Sequence, residues 1–230
     1  MTRLVLFDID GTLLWSDGAG RRAMEGALAH VFGATGDASY RYDGKTDRQI
    51  VREQMRVHGH DDAAIDTRLD AVMASYVERV TRELASGDRQ VRRLPGVAEL
   101  LDVLEARDDV VLGLLTGNVA QGAAVKLAAA EIDVARFRVN AFGSDHEHRP
   151  RLPEIARRRA REQLGLDFAG DAIVVIGDTP ADIDCARSVA ARTIAVATGR
   201  YSVDELATHA PSAVFADLSD TAAVVAAIMA

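Results

Sequence analysis

The sequence predicts an α/β protein, in which helices cover both faces of a doubly wound parallel sheet and a second, all-helical region is inserted into that core. Short apolar segments with few polar interruptions alternate with helical patterns, as expected for strands that are buried on both faces. One long stretch contains helical patterns alone. Apolar residues make up 48% of the 230 residues, which is enough to form a substantial core.

The first strand covers residues 4–8, and no convincing strand follows between residues 16 and 88. Within this stretch, helices are predicted near residues 18–32, 47–58 and 63–86. A helical insertion between the first and second strands is typical of a separate cap. We therefore expect a helical cap domain at residues 16–89 and a Rossmann-like catalytic core at residues 1–15 and 90–230.

Pro95-Gly96 marks the return of the chain to the core. The further strands are predicted at residues 110–116, 138–142, 172–177 and 192–197, with a short one at 214–215. Helices between and after them are predicted at residues 97–107, 119–130, 153–164, 181–190 and 219–229. This alternation is the pattern of a parallel sheet with crossover helices.

Composition and charge narrow the classes of function. A net charge of −8 argues against an extended nucleic-acid surface. A single cysteine, Cys185, excludes an internal disulfide, and no apolar run suits a signal peptide or a membrane span. We therefore expect a cytoplasmic protein, monomeric or homodimeric, whose partner is a small molecule and neither nucleic acid nor a membrane.

Polar residues follow the predicted core strands. Asp8 and Asp10 close the first strand, and Thr116-Gly117-Asn118 closes the second. Arg149 lies in the segment after the third strand, and Asp178 and Asp182 follow the fourth. Because the carboxyl ends of parallel strands open on the same edge, we expect these side chains to converge.

The residue types at this edge suit a divalent cation. Asp8, Asp178 and Asp182 offer the hard carboxylate oxygens that Mg²⁺ prefers, and no soft ligands are present. We expect Mg²⁺ to bind among these three carboxylates. For Asp182, an ordinary role at a helix start is an open alternative.

The same set of residues suits phosphoryl transfer. Asp8 is the candidate nucleophile, and Asp10 can protonate the leaving oxygen and later deprotonate water. Thr116 can donate a hydrogen bond to a substrate oxygen, although a plain strand-end cap is its alternative role. Arg149 can neutralise charge in the transition state. Gly11 lets the chain turn without a side chain in the way.

Three motifs resemble those of the haloacid dehalogenase superfamily. Asp8-Ile9-Asp10-Gly11-Thr12 is similar to its first motif, Thr116-Gly117-Asn118 to its second and Gly177-Asp178-Thr179-Pro180-Ala181-Asp182 to its fourth. The resemblance covers essentially the whole chain, including a helical cap between motifs one and two. It implies a hydrolase with an aspartyl-phosphate on Asp8. It also implies a Mg²⁺ cofactor between Asp8, the main-chain carbonyl of Asp10 and Asp178, with Asp182 contacting the ion directly or through water.

The resemblance also bears on the substrate. Dehalogenases of this superfamily lack the second aspartate, so Asp10 favours phosphate-ester chemistry. Gly44-Lys45-Thr46-Asp47 is similar to the cap of phosphoglycolate phosphatase-like members, which implies that Lys45 and Thr46 bind substrate. A solvated loop lysine is the alternative for Lys45. Gly11, Gly117 and Asn118 complete the expected substrate-binding set.

The chain departs from the superfamily at the third motif, which usually supplies a lysine. Arg149-Pro150 is the best positional match, and Arg151 is the second choice. Lys126 lies in the middle of a predicted helix, and we expect it on the surface, with a displaced third-motif lysine as the alternative.

These observations predict a Mg²⁺-dependent phosphatase for a small phosphorylated metabolite, with phosphoglycolate as the favoured substrate from the cap resemblance. Two alternatives remain open at this point. A phosphomutase would reuse the aspartyl-phosphate, and a non-catalytic phospho-acceptor or phosphate-binding regulator would not turn over.

Overall fold

The computed structural model describes residues 1–86 and 91–230. Its strands are β1 (Arg3–Phe7), β2 (Leu14–Trp15), β3 (Arg92–Arg93), β4 (Val110–Thr116), β5 (Val139–Phe142), β6 (Ile173–Gly177), β7 (Arg192–Val196) and β8 (Ala213–Phe215). Its α-helices are α1 (Ala19–Phe32), α2 (Asp47–Val57), α3 (Asp62–Ala85), α4 (Val97–Glu105), α5 (Ala120–Ala129), α6 (Leu152–Leu164), α7 (Pro180–Arg187), α8 (Val203–Ala207) and α9 (Thr221–Met229). Short 3₁₀ turns lie at Val134–Arg136, Arg149–Arg151 and Gly170–Ala172.

Six strands form one sheet in the order β5-β4-β1-β6-β7-β8, and every neighbouring pair is parallel. This arrangement confirms the predicted class. Strand β1 is central, with β4 on one side and β6 on the other. The loops after these three strands therefore start side by side at one edge, where the predicted site residues lie.

Alternation along β1 shows how the sheet is covered on both faces. Val5 and Phe7 pack with buried residues of α4, α5 and α9, whereas Leu4 and Leu6 pack with buried residues of α6 and α7. Successive side chains of a strand point to opposite faces, so an uninterrupted apolar run is what such a central strand requires.

The helical insertion, which consists of α1, α2 and α3 and is called the cap below, has a core of its own. Helices α1, α2 and α3 bury apolar side chains against one another, among them Met24, Ile50, Met55 and Tyr76. Val119, which precedes α5 in the sheet-bearing part, belongs to the same cluster, and α3 lies against α5. The insertion is therefore packed directly onto one helix of the core.

A two-stranded antiparallel ribbon joins the two ends of the insertion. Leu14 pairs with Arg93 and Trp15 with Arg92, and the amide of Leu94 donates to the carbonyl of Leu13 at 3.1 Å. These strands are too short for a periodic pattern, and the sequence did not predict them. The predicted domain boundary between residues 89 and 90 lies outside the described residues.

Two further differences from the predicted elements have local causes. Helix α7 ends at Arg187 instead of residue 190, and Ala190 has a positive φ of 55° that ends any helical continuation. The short helix α8 was not predicted, although Ser202 and Glu205 form a capping box at its start. Within residues 1–86 and 91–230, no helix has both the length and the apolar composition needed to cross a membrane.

Candidate active site

The loop after β1 carries Asp8 into the interior. The Asp8 amide donates to the Ile176 carbonyl at 2.9 Å, which continues the pairing of β1 with β6, and the residue is 6% exposed. The chain then turns at Gly11, whose φ is 83°. A Cβ at Gly11 would lie 2.4 Å from Oδ2 of Asp178, so this turn needs a residue without a side chain.

Three carboxylates meet beside this turn. Asp8, Asp178 and Asp182 are all buried, and each offers an oxygen within 4.8 Å of the others. Burying three like charges together is costly unless a cation compensates them. Carboxylate oxygens at such spacing are the donor set expected for Mg²⁺, so the residues present fit this ion.

The cost of burying these charges is reflected in the raised pKa values of Asp8 and Asp178. Burial raises the pKa of Asp8 to about 6; the charges of Asp182 and Asp10 add to the rise, whereas the guanidinium of Arg149 opposes it. Burial also raises the pKa of Asp178 well above its usual value, and the charges of Asp182 and Asp8 act in the same direction. Both carboxyl groups would therefore ionise more readily beside a bound cation.

Arg149 supplies the protein's own cation to this group. It is 4% exposed, and its Nη2 lies 3.1 Å from Oδ1 of Asp8 and 2.5 Å from Oδ1 of Asp182. Within the described part of the chain, its buried Nε has no hydrogen-bond partner. Arg151, the second choice from the sequence, is exposed. The structure thus brings Arg149 to the site and leaves Arg151 outside it.

Asp182 has two roles in this structure. Its Oδ2 accepts hydrogen bonds from the amide and the hydroxyl of Thr179, which makes a capping box at the start of α7. Its Oδ1 faces Arg149. The helix-start role left open by the sequence is therefore present, together with membership of the carboxylate group.

Asp10 belongs to a different polar group. Its Oδ2 accepts from Nδ2 of Asn118 at 2.8 Å and from Nζ of Lys126 at 2.6 Å, and its Oδ1 accepts from Oγ of Ser16 at 3.2 Å. Burial opposes ionisation, but the charge and hydrogen bond of Lys126, with those from Asn118 and Ser16, hold the pKa of Asp10 below its usual value.

The expectation that Lys126 lies on the surface is wrong. The residue is 4% exposed, on the face of α5 that also buries Ala123 and Leu127. Its amino group lies 2.6 Å from both Oδ2 of Asp10 and Oδ1 of Asn118. Since this helix packs against the cap as well as the sheet, a position that is exposed on an ordinary surface helix is enclosed here.

Thr116 and Asn118 lie where the sequence placed them, but their contacts are mostly within the protein. Thr116 is fully buried at the end of β4, and its Oγ1 accepts from Nδ2 of Asn118 at 2.9 Å. The Asn118 amide is used by Thr116 and Asp10. Asn118 therefore orients other site residues; it also lies on the cavity wall, so its role in substrate binding stays a prediction.

A cavity of about 360 Å³ connects these groups with the cap. Core residues on its wall include Asp8, Asp10, Gly11, Thr116, Gly117, Asn118, Lys126, Arg149 and Asp178. Cap residues on its wall include Arg21, Asp43, Gly44, Lys45, Asp47 and Tyr76. The cavity thus lies at the junction of the cap and the strand ends.

The two predicted cap residues differ in position. Lys45 lines the cavity, pairs with Glu53 at 2.5 Å and lies over the ring of Tyr40. Thr46 is fully buried; its hydroxyl caps α2 by accepting from the Gln49 amide and donates to the Glu147 carbonyl at 2.6 Å. The assignment of Thr46 to substrate binding is therefore corrected: its hydroxyl serves the fold.

Asp47 is a buried residue at this junction that the sequence did not single out. Its Oδ2 accepts from the Val119 amide at 2.7 Å, and its own amide donates to the Gly117 carbonyl at 2.9 Å. Burial raises the pKa of Asp47 to about 6, although Lys126 and the Val119 amide act in the opposite direction. The signal in the sequence was an acidic residue at the first position of a helix, which is too common to indicate docking on a distant loop.

Comparisons with known proteins agree with the fold described above. A hydrolase from Pseudomonas syringae superposes with a TM-score of 0.76 at 22% identity, covering 99% of both chains. A predicted phosphoglycolate phosphatase from Haemophilus somnus gives 0.69 at 20% identity over 97% of this chain and 98% of that one. CbbY from Rhodobacter sphaeroides, in complex with phosphate, gives 0.66 at 20% identity over 96% of each chain. At these identities the likeness shows the fold. The curated protein sequences gave no significant match.

The family profile described as haloacid dehalogenase-like hydrolase matches residues 5–187. This span is well over half of the chain and contains both aspartates of the first motif, the cap and the carboxylates after β6. The protein therefore belongs to the haloacid dehalogenase-like hydrolase family.

Proposed function

We propose that this hydrolase is a Mg²⁺-dependent phosphatase, which releases phosphate from a small phosphate monoester through an aspartyl-phosphate on Asp8. One observation carries the proposal. Asp8 lies at the end of β1 between a buried guanidinium and two further buried carboxylates, while Asp10, two residues later, is held in a separate polar group. This arrangement supplies a nucleophile and an acid/base with different surroundings.

In the first step, a carboxylate oxygen of Asp8 attacks phosphorus and the bond from phosphorus to the ester oxygen breaks. Asp10 gives its proton to that oxygen, so that the alcohol leaves neutral. Asp10 is ionised in the free enzyme, and the negative charge of an entering phosphate favours its protonation. Arg149 and Thr116 hold the transferring group, and the charge of Arg149 stabilises the transition state.

In the second step, water attacks phosphorus and the bond to Asp8 breaks. Asp10 accepts a proton from this water, inorganic phosphate leaves and the Asp8 carboxylate is restored. Contact between the cap and the loops of the core limits the access of bulk water, which protects the phosphorylated aspartate from uncontrolled hydrolysis.

Asp8, Asp178, Asp182 and the main-chain carbonyl of Asp10 are the residues that would hold Mg²⁺. When bound, the ion offsets the repulsion between the carboxylates and the phosphate and stabilises charge on the transferring group. The donor set supports this choice because it consists of hard oxygens.

A small substrate fits the cavity volume of about 360 Å³. We favour phosphoglycolate or a similar metabolite, because the segment Gly44-Lys45-Thr46-Asp47 resembles the caps of phosphoglycolate phosphatase-like proteins. Lys45 is a cap cation on the cavity wall, beside Arg21, and suits the second anionic group of such a substrate.

The test is phosphate release from a panel of phosphate monoesters with Mg²⁺, comparing the wild type with Asp8→Asn. We expect turnover by the wild type, with loss of turnover in D8N and after chelation of the metal. Full turnover by D8N would refute the mechanism. An isomerised sugar phosphate in place of free phosphate would identify a mutase, and tight phosphate binding without turnover would identify a regulator.

A further inference from the structure

Lys126 is a buried cation that the mechanism above does not use. Its ammonium contacts Oδ2 of Asp10 and Oδ1 of Asn118, each at 2.6 Å, and the residue is 4% exposed. Enclosing a lysine is unfavourable unless its charge is paired and its N–H groups are bonded. Here the pairing is made with the candidate acid/base.

The site separates its two buried cations. Nη2 of Arg149 contacts Asp8 and Asp182, whereas Nζ of Lys126 contacts Asp10. Lys126 is one of only two lysines in the sequence. The lysine therefore does not replace the cation beside the nucleophile, because Arg149 already occupies that place.

The hydrogen bonds to Asp10 are unequal. Oδ2 receives bonds of 2.6 Å from Lys126 and 2.8 Å from Asn118. Among the residues that the structure describes, Oδ1 receives one longer bond of 3.2 Å from Ser16. The Asp10 side chain is 38% exposed and lies on the cavity wall, so Oδ1 is the oxygen with capacity for a substrate.

We infer that Lys126 is a positioning residue for the proposed reaction: by holding Oδ2 of Asp10, it fixes the carboxylate so that Oδ1 acts on the leaving oxygen. This inference rests on the proposed function, in which Asp10 transfers the proton. A charge-assisted hydrogen bond is short and directional, which suits it to fixing a side chain at the mouth of a cavity.

The cap encloses Lys126 from the other side. Asp47 and Tyr76 of the cap interact electrostatically with its amino group. A Cβ at Gly20 would lie 3.0 Å from Nζ, so glycine at this point of α1 makes room for the ammonium. Lys126 thus holds Asp10 at the point where α1, α2 and α3 of the cap meet the core. From this point it can orient the acid/base while the cap contacts the core.

The first test compares wild type with Lys126→Met on two esters. 2-Phosphoglycolate has an alkoxide leaving group that requires a proton, whereas the p-nitrophenolate of p-nitrophenyl phosphate leaves without one. We expect kcat/KM for 2-phosphoglycolate to fall about 100-fold in K126M, with a far smaller loss for p-nitrophenyl phosphate. Equal losses for both esters would overturn the inference, since a general structural defect does not depend on the leaving group.

The second test asks whether Lys126 acts through Asp10. In a background of Asp10→Asn, K126M should cost little further activity, because the group that it positions is already removed. Lys45→Met, which removes the other lysine, is the matched control: Lys45 has no contact with Asp10 among the described hydrogen bonds, so its effect should add to that of D10N. Additive losses for K126M and D10N would contradict the inference.

The third test needs no turnover. Crystal structures of wild type and K126M should show the Asp10 carboxylate displaced by roughly 1 Å or more, a shift large enough to impair catalysis. An Asp10 that keeps its position would overturn the inference whether or not the protein hydrolyses esters. A displaced Asp10 in a protein that releases no phosphate from any ester would keep the positioning and refute the proposed function.

Chemical rescue guards against a misfolded variant. Lys126→Cys, alkylated with 2-bromoethylamine, carries an ammonium at nearly the reach of lysine. Position 126 lines the cavity, whereas the native Cys185 is fully buried and is not among the residues that line it. We expect alkylation to restore much of kcat/KM for 2-phosphoglycolate. Restored stability without restored activity would count against positioning.

Discussion

Asp8 and Asp10 are two positions apart in the sequence, yet they lie in two different polar groups. Asp8 shares the guanidinium of Arg149 with Asp182, and both of these partners belong to the core. Asp10 pairs with the ammonium of Lys126, which also donates to Asn118 and faces Asp47 and Tyr76 of the cap. The pKa of Asp8 is accordingly raised and that of Asp10 lowered. Two side chains of the same type acquire different chemistry because their buried neighbours differ.

Loss of the Arg149 guanidinium beside Asp8 should have the largest effect on activity. Arg149→Met removes the donor to Asp8 and Asp182, and we expect kcat to fall about 1,000-fold, as when a preorganised donor to the transition state is lost. Arg149→Lys keeps the charge and should retain more activity, although its reach and geometry differ. Steady-state kinetics with Mg²⁺ measures both. An R149M enzyme as active as R149K would show that this charge is dispensable.

A smaller effect concerns the contribution to stability of Asp47, which faces Lys126, the partner of Asp10. Burial raises the pKa of Asp47 from 3.8 to about 6, so the folded protein binds this proton more tightly than the unfolded chain does. The resulting stabilisation is fully present below pH 4 and is lost as the pH rises through 6. Relative to Asp47→Asn, the wild type should therefore gain up to about 3 kcal/mol between pH 7 and pH 4.

Denaturant unfolding of wild type and D47N at a series of pH values measures this difference. Comparing the two proteins cancels the titration of groups that they share. The side-chain oxygen of the introduced asparagine can still accept the hydrogen bond of the Val119 amide, so the cap contact is retained. A difference that stays constant with pH, or that grows as the pH rises, would contradict the raised pKa.

The next effect separates the two roles of Asp182. In Asp182→Asn, the amide oxygen can still cap α7, but the negative charge is lost. We expect the Mg²⁺ concentration for half-maximal activity to rise about tenfold. Tm should fall as well, because the buried Nη2 of Arg149 loses the negative charge of its partner. Titration of activity with Mg²⁺, alongside thermal unfolding, tests this. A large loss of Tm with unchanged Mg²⁺ dependence would reduce Asp182 to a helix cap.

The smallest effect checks the corrected role of Thr46. Thr46→Ala removes the N-cap of α2 and the bond to the Glu147 carbonyl, and should cost about 1 kcal/mol of unfolding free energy. Because the hydroxyl lies outside the cavity wall, KM should not change. Denaturant unfolding and steady-state kinetics measure the two quantities. A raised KM at unchanged stability would return Thr46 to the binding residues.

The parts of the site that could be predicted from sequence are those fixed by strand ends. Asp8, Thr116 and Asp178 each follow an apolar strand, and parallel pairing alone brings such positions together. Arg149 was also within reach, since it lies in the segment after β5. Thr46 was misassigned although the spacing to Gln49 is that of a capping box, because the family resemblance of the surrounding motif suggested a ligand instead.

Lys126 and Asp47 could not be found in this way. Both depend on how α5 packs against the cap, and that contact joins segments distant in the sequence. The burial of Lys126 is set by its position on the same face as Ala123 and Leu127, and in an alanine-rich helix this face is not marked by large apolar side chains. Sequence patterns therefore indicate the sheet and the helical insertion separately, and the residues at their junction carry no such signal.

The ribbon of β2 and β3 has a consequence for how this architecture can vary. Trp15 and Arg92 are paired, so the chain departs from the core and comes back to it at a single anchor point. With respect to the sheet, the whole insertion is a loop whose two ends are held at a fixed distance by this pairing. Its length and content can change without shifting any strand, because the entropy of closing a loop grows only slowly with its length. The residues at the strand ends and the inserted helices above them can thus change independently of each other.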